Sequence, residues 1–161
     1  MEALESLFAK ALKPEPPWMI TKIEFHEAEG VIRVFIDFPR GSMFPCPVCG
    51  KHMKAYDTAE KEWRHLSFFQ HACYLVVRLP RIDCSDDGIL QIDVLWARDG
   101  ADFTFLFESF AMTLVREMPV NRVSRIIKVD DNKLWRMIHH YTEGARQKEG
   151  PAPKKLYNTK C

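Results

Sequence analysis

Residues 119–141, PVNRVSRIIKVDDNKLWRMIHHY, restrict the fold more than any other stretch of the chain. Helical spacing puts Val120, Val123, Ile126 and Ile127 on one face and leaves Arg122 and Arg125 elsewhere. Pro119 suits the first turn of a helix, where a missing N–H is no loss. Lys128-Val129 makes the corner. Asp130 is a good N-cap, and Asp131 just inside it favours the positive end of the helix dipole. A second helix then buries Leu134, Ile138 and Tyr141 and carries Lys133, Arg136 and His140 on its other face, with Asn132 at its tip. Two helices on a short turn, the second with polar donors near its start, are what a helix-turn-helix needs. The same pattern also suits an ordinary αα-hairpin that packs a core and solvates its charges.

Charge separates the two ends. Residues 116–161 hold 11 Lys/Arg against 5 Asp/Glu, and residues 1–115 hold 12 against 17, so a net +1 divides into +6 and −5. Such asymmetry points to a polyanionic partner, double-stranded DNA being the natural one. A basic tail kept soluble by its charge, with Lys154, Lys155 and Lys160, accounts for part of it. With no apolar run near 18 residues and no charged-then-apolar leader, neither a membrane span nor a signal peptide is expected. The odd count of 5 cysteines points to a reducing compartment.

Ahead of the helices, the chain reads as a small β-rich domain. Residues 2–12 put Leu4, Leu7, Phe8 and Leu12 on one helical face, and Pro14, Pro16 and Pro17 end that helix. Met19 to His26 and Val31 to Phe38 predict a hairpin, with Ile32, Val34, Ile36 and Phe38 pointing one way. Gly41 to Lys51 predicts a loop, Trp63 to Phe69 and Cys73 to Arg81 a second strand pair, and Ile89 to Trp96 a last strand. Asp99-Gly100 breaks the chain. Asp102 is expected to cap a helix over residues 103–117, with Phe103, Leu106, Phe107, Phe110 and Leu114 on its apolar side. The expected fold is α+β: a small antiparallel zinc-ribbon-like domain over 1–98, a three-helix helix-turn-helix unit over 99–141, and a flexible basic tail over 142–161.

Cys46-Pro-Val-Cys49-Gly50 is half of a structural zinc site, two thiolates on one tight turn. Cys84-Ser-Asp-Asp87-Gly88 has a similar shape but carries Asp87 where a Cys or His is expected. Three thiolates and a carboxylate can hold zinc, and His52, His65 and His71 are the other candidates for the fourth position. The interval from Cys49 to Cys84 is longer than in common zinc modules. Cys73, in an apolar strand pattern, reads as a buried small hydrophobe, and Cys161 has no assignable role.

These motifs, with Trp63-Arg-His-Leu-Ser-Phe-Phe-Gln-His71, Val94-Leu-Trp96-Ala-Arg, Phe103-Thr-Phe-Leu-Phe-Glu and Arg116-Glu-Met-Pro-Val120, resemble the N-terminal part of ISL-three-type bacterial insertion-sequence transposases over about residues 5–141. In that family a zinc-binding domain and a helix-turn-helix precede an RNase-H-like domain bearing a metal-binding DDE triad. The resemblance implies recognition of terminal inverted repeats by the N-terminal modules. It also implies a truncated or fragmentary transposase that does not itself cut or join DNA, since residues 142–161 do not look like the start of the catalytic domain. Asp87 departs from the family's histidine. Lys128 replaces a glycine common in the turn, at a cost of about 1 kcal/mol if φ is positive there.

The expected contacts are Asn132, Lys133 and Arg136 to base edges, with His140 as a weaker donor. Arg122, Arg125 and the tail lysines would hold phosphates. His139 is expected to be a surface or packing residue. A homodimer or a full-length transposase are further partners, and the expected setting is the bacterial cytoplasm at the nucleoid. Two rivals stand beside this reading. One is a stand-alone regulator that occupies the element's ends. The other is a protein-interaction module docking through Trp63, Phe68, Phe69 and Trp96. No triad, phosphate loop or paired carboxylates point to an enzyme.

Overall fold

The computed structural model describes residues 2–149. Residues up to Phe110 form one compact unit and those from Ala111 on a second.

The first unit is built on a sheet whose middle strand is also its most apolar. Helix α1 (Glu2–Leu12) leads into β1 (Met19–His26) and β2 (Val31–Asp37), paired antiparallel from Met19↔Asp37 to His26↔Val31. Ile32, Val34 and Ile36 are buried, and their alternate neighbours are not. After β3 (Met43–Pro45), the long strands β4 (His52–Phe68) and β5 (His71–Cys84) form an antiparallel hairpin, and β6 (Gly88–Gln91) folds back on the end of β5. The order is β1-β2-β5-β4-β3. Strand β4 runs along one edge of β5. β2 takes the first half of the other edge and β6 its end. A strand flanked on both edges and covered by core explains the run Leu75, Val76, Val77 and Leu79, all buried.

Five expectations for this unit change. The sheet is mixed, because β2 and β5 run parallel from Val31↔Ala72 to Ile36↔Val77. Strand β4 starts at His52 rather than Trp63, and β3 lies in the expected loop. Strand β6 stops at Gln91, with residues 92–96 outside any strand. Among the described residues of α1 only Phe8 is buried, against Phe68 at 4.8 Å between ring centroids, while Leu4 and Leu7 are exposed. The rival docking surface is also dispersed. Trp63 is buried and Trp96 packs on it at 6.0 Å and on Trp18 at 5.2 Å. Phe69 is 81% exposed at the tip of the β4–β5 hairpin, where it and Gln70 take φ of 46° and 63°. That is a primed two-residue turn made without glycine, at about 1 kcal/mol or more per residue.

The segment after β6 is tied to β4. The Arg64 N–H donates to the Asp102 carbonyl (2.9 Å), and the Thr104 N–H donates to that of Arg64 (3.0 Å). The buried Arg64 guanidinium donates to the Cys73 carbonyl (3.2 Å) and lies over the Phe107 ring at 5.0 Å. Beside it, His65 Nδ1 sits 2.9 Å from Thr104 Oγ1. Burial, with the adjacent Arg64 cation, holds the His65 imidazole down to about 4, against 6.5 ordinarily. The unfolded chain therefore takes up this proton before the folded one does. The stability His65 contributes is whole above pH 6.5 and lost as the pH falls through 4. The loss is on the order of 3 kcal/mol by the acid end. His65→Gln should accordingly lose less stability than the parent over that range in denaturant titrations. Equal acid slopes would contradict the assignment.

Three helices follow: α2 (Phe105–Glu117), α3 (Val120–Ile127) and α4 (Asp131–Glu149). Thr104, not Asp102, caps α2, its hydroxyl accepting the Phe107 N–H at 3.3 Å. The buried line of α2 is Phe107, Glu108 and Ala111, while Leu106 and Phe110 are exposed. On α3, Val123 and Ile127 are buried and Ile126 is not. Helix α4 runs eight residues past Tyr141, through the start of the expected tail, and residues 150–161, with Lys154, Lys155, Lys160 and Cys161, lie outside the described residues. Among the described residues no helix is long and apolar enough to cross a membrane.

Candidate metal centre and nucleic-acid interface

The long hairpin explains the wide spacing between the cysteine motifs. Antiparallel pairing of Ala55 with Ile82 puts the start of β4 beside the end of β5, so the knuckle before β4 faces the knuckle after β5. In the first knuckle the Cys46 N–H donates to the Lys51 carbonyl (2.8 Å) and the Gly50 N–H to that of Cys46 (2.9 Å). Gly50 and Gly88, each directly after a candidate ligand, take φ of 74° and 80°, a backbone that side chains resist. Lys51 Nζ reaches Asp86 Oδ2 at 2.5 Å and ties the knuckles together.

Cys46, Cys49, Cys84 and Asp87 turn one donor atom each into a common space, all within 4.8 Å of one another. Cys49 and Cys84 Sγ are 3.6 Å apart, and Asp87 Oδ2 lies 3.5 Å from Cys46 Sγ and 3.4 Å from Cys84 Sγ. Zinc bond lengths in a tetrahedron require edges of about 3.7 Å between sulfurs and about 3.5 Å from sulfur to oxygen. The donor set therefore fits zinc in both chemistry and size. The Cys49 backbone N–H holds the Cys46 thiol below its ordinary range. The Lys51 N–H acts the same way on Cys49, but burial and the crowding of Cys84, Cys46 and Asp87 outweigh it and push Cys49 up to about 11. Acidic groups this close repel once ionised, and a bound cation removes that cost.

The histidine alternatives lie elsewhere. His65 pairs across from Cys73 and His71 from Phe68, at the closed end of the hairpin, with His65 roughly 30 Å of strand from Ala55. His52 starts β4 beside the first knuckle, exposed and outside the group of four. Cys73 is buried, and burial pushes its thiol up to about 11, as suits a small hydrophobe.

In the second unit α3 and α4 pack against each other. Lys128 takes φ 54°, the left-handed corner, and Ser124 supports it by accepting the Val129 N–H (3.1 Å) and donating its hydroxyl to the Val129 carbonyl (2.7 Å). Asp130 caps α4 as expected, accepting the Asn132 N–H at 2.9 Å. Leu134 and Met137 are the buried residues of α4. Met137 takes the place foreseen for Ile138 and Tyr141, which are half-buried and exposed. Asn132, Lys133, Arg136 and His140 are exposed, and so are Arg122 and Arg125 on α3. Between them stands Trp135, 47% exposed and 6.0 Å from the His139 ring, a residue outside the expected contacts. Its signal was its spacing, three after Asn132 and four before His139, off the Leu134/Met137 line.

Residues 43–87 match the zinc-finger of transposase IS204/IS1001/IS1096/IS1165. Residues 92–142 match the helix-turn-helix domain of transposase family ISL3. Over 138 residues, 82% of this chain, the sequence is 25% identical to the transposase for insertion sequence element IS1557 of Mycobacterium tuberculosis strain CDC 1551 / Oshkosh. The same transposase from strain ATCC 25618 / H37Rv gives the same figures. The chain spans about 30% of the length of these curated relatives. No solved structure matches it. A zinc ribbon followed by a helix-turn-helix marks the chain as carrying transposase DNA-binding modules. More narrowly, these are the modules of the N-terminal region of an ISL3-type transposase.

Proposed function

We propose that the chain binds the terminal inverted repeats of an insertion sequence, reading them with α4 while a zinc-stabilised ribbon supports the reader. The observation that carries this is the two-sidedness of α4, with Leu134 and Met137 buried and Asn132, Lys133 and Arg136 turned outward. A helix laid in a major groove would use Arg136 on guanine and Asn132 on adenine, each good bidentate pair being worth ~1–3 kcal/mol of discrimination. Lys133 and His140 would donate alongside. Arg122 and Arg125 on α3 would hold phosphates and set register. Cys46, Cys49, Cys84 and Asp87 would hold zinc, which when bound fixes the two knuckles and neutralises their charge. Such a protein works at the bacterial nucleoid, with a second copy or a full-length transposase as partner at paired repeats.

Lys133→Ala/Arg136→Ala should weaken binding to a repeat-derived duplex by roughly 10- to 100-fold. For the parent, log K should fall against log salt with a slope of roughly −5 if six phosphates are neutralised. Unchanged affinity in the double variant, or a parent with no salt slope, would remove the proposal.

A further inference from the structure

The β-rich unit carries a feature that the reader helix does not explain. A cleft of about 540 Å³ opens between the turn after β2, with Phe38, Arg40 and Ser42, and β4 from Lys54 to Thr58. Two of its charges are committed. Arg78 donates to Asp37 Oδ1 (2.8 Å) and lies over the Phe38 ring at 4.7 Å, and Asp57 accepts from Arg81 Nε (2.7 Å). Arg40 and Lys54 are exposed and make no side-chain hydrogen bond or ion pair among the described residues. Two uncompensated cations thus face one cleft, although residues 1–115 carry 17 acidic against 12 basic side chains.

The cleft's other wall is one stretch of strand. Lys54, Tyr56 and Thr58 are exposed residues of β4 that line the cleft, on a stretch where the pairing with β5 shifts register between Ala55 and Asp57. An ammonium, a phenol and a hydroxyl spread along the strand, opposite a guanidinium, suit an extended polyanion better than a single small ion. Arg, Lys, Ser, Thr and Tyr are also the side chains that hold DNA phosphates and sugars. We infer that this cleft grips the sugar-phosphate backbone of duplex DNA, with Arg40 and Lys54 on phosphates and Tyr56, 59% exposed, against the sugar. The inference rests on the DNA-binding reading above. It makes the ribbon a second, sequence-independent contact.

The test uses the full zinc-loaded chain and a duplex of mixed sequence, with binding titrated at several salt concentrations. Arg40→Ala/Lys54→Ala should make the salt slope shallower by about 1.8 and weaken binding roughly tenfold or more. Lys10→Ala/Lys13→Ala, which removes the same charge from exposed positions outside the cleft, should leave both unchanged. If the two double variants behave alike, the effect is net charge and the cleft inference falls. If Lys133→Ala/Arg136→Ala weakens binding and Arg40→Ala/Lys54→Ala does not, the cleft inference falls alone. If only the cleft variant weakens binding, the reader assigned to α4 falls and the cleft stands.

Discussion

Removing zinc should cost the β-rich unit more stability than any single substitution in its core. Structural zinc contributes about 10–16 kcal/mol to the folding of small finger peptides. A share of several kcal/mol is expected here, because the unit also has its own apolar core and one of the proposed ligands is a carboxylate. The mechanism is local. Four acidic groups lie within 4.8 Å of one another, on turns at the open end of the β4–β5 hairpin. Directly below the first knuckle, Phe44 packs on Phe38 at 4.8 Å and on Trp18 at 5.6 Å, so the aromatic core inherits any loosening. Thermal unfolding with and without a strong chelator should show a large drop in the transition. Cys84→Ser should reproduce it without chelator, and Asp87→Cys should raise zinc affinity. Metal analysis finding no zinc, with identical transitions in both conditions, would contradict the site.

The second large effect lies at a buried charge. Glu108 is 0% exposed, and Arg98 faces it at 3.0 Å and 3.3 Å from Nε to the two carboxylate oxygens. Their pairing fastens the segment after β6 to the start of α2. Arg98→Ala strips a charged partner from a carboxylate that cannot reach bulk water, at a cost of about 3–5 kcal/mol. Arg98→Met/Glu108→Leu, which removes both charges and keeps the volume, should restore most of that loss. A double variant as unstable as the single one would mean that Arg98 acts through packing alone.

What could be read from the residues follows from how local the causes are. Strand β2, the Gly50 knuckle, the Asp130 cap and the Lys128 corner depend on neighbours a few residues away, and each appears where periodicity or turn chemistry puts it. The β2–β5 pairing is set across some forty residues, and no period in either strand encodes its parallel sense. Strand β4 was half hidden because HMKAYDTAEKE alternates only small or weakly apolar residues. Pairing with the apolar β5 makes it a strand, a case of context overriding propensity. Gly144 obscured the end of α4, yet residues around it (Glu143, Ala145, Arg146, Gln147, Lys148) are good helix formers and carry the helix through it. The cluster of Cys46, Cys49, Cys84 and Asp87 was legible as a candidate metal site, and its oversized interval is the length of the hairpin itself.

The proposed reader is the outward side of α4, set against base edges. Its most direct test is selection of bound duplexes from a random pool, with the parent and Arg136→Ala in parallel. The parent should enrich one motif, and Arg136→Ala should lose preference at a single base pair within it while keeping the rest. No enriched motif for the parent, or the same motif at full strength for Arg136→Ala, would contradict it.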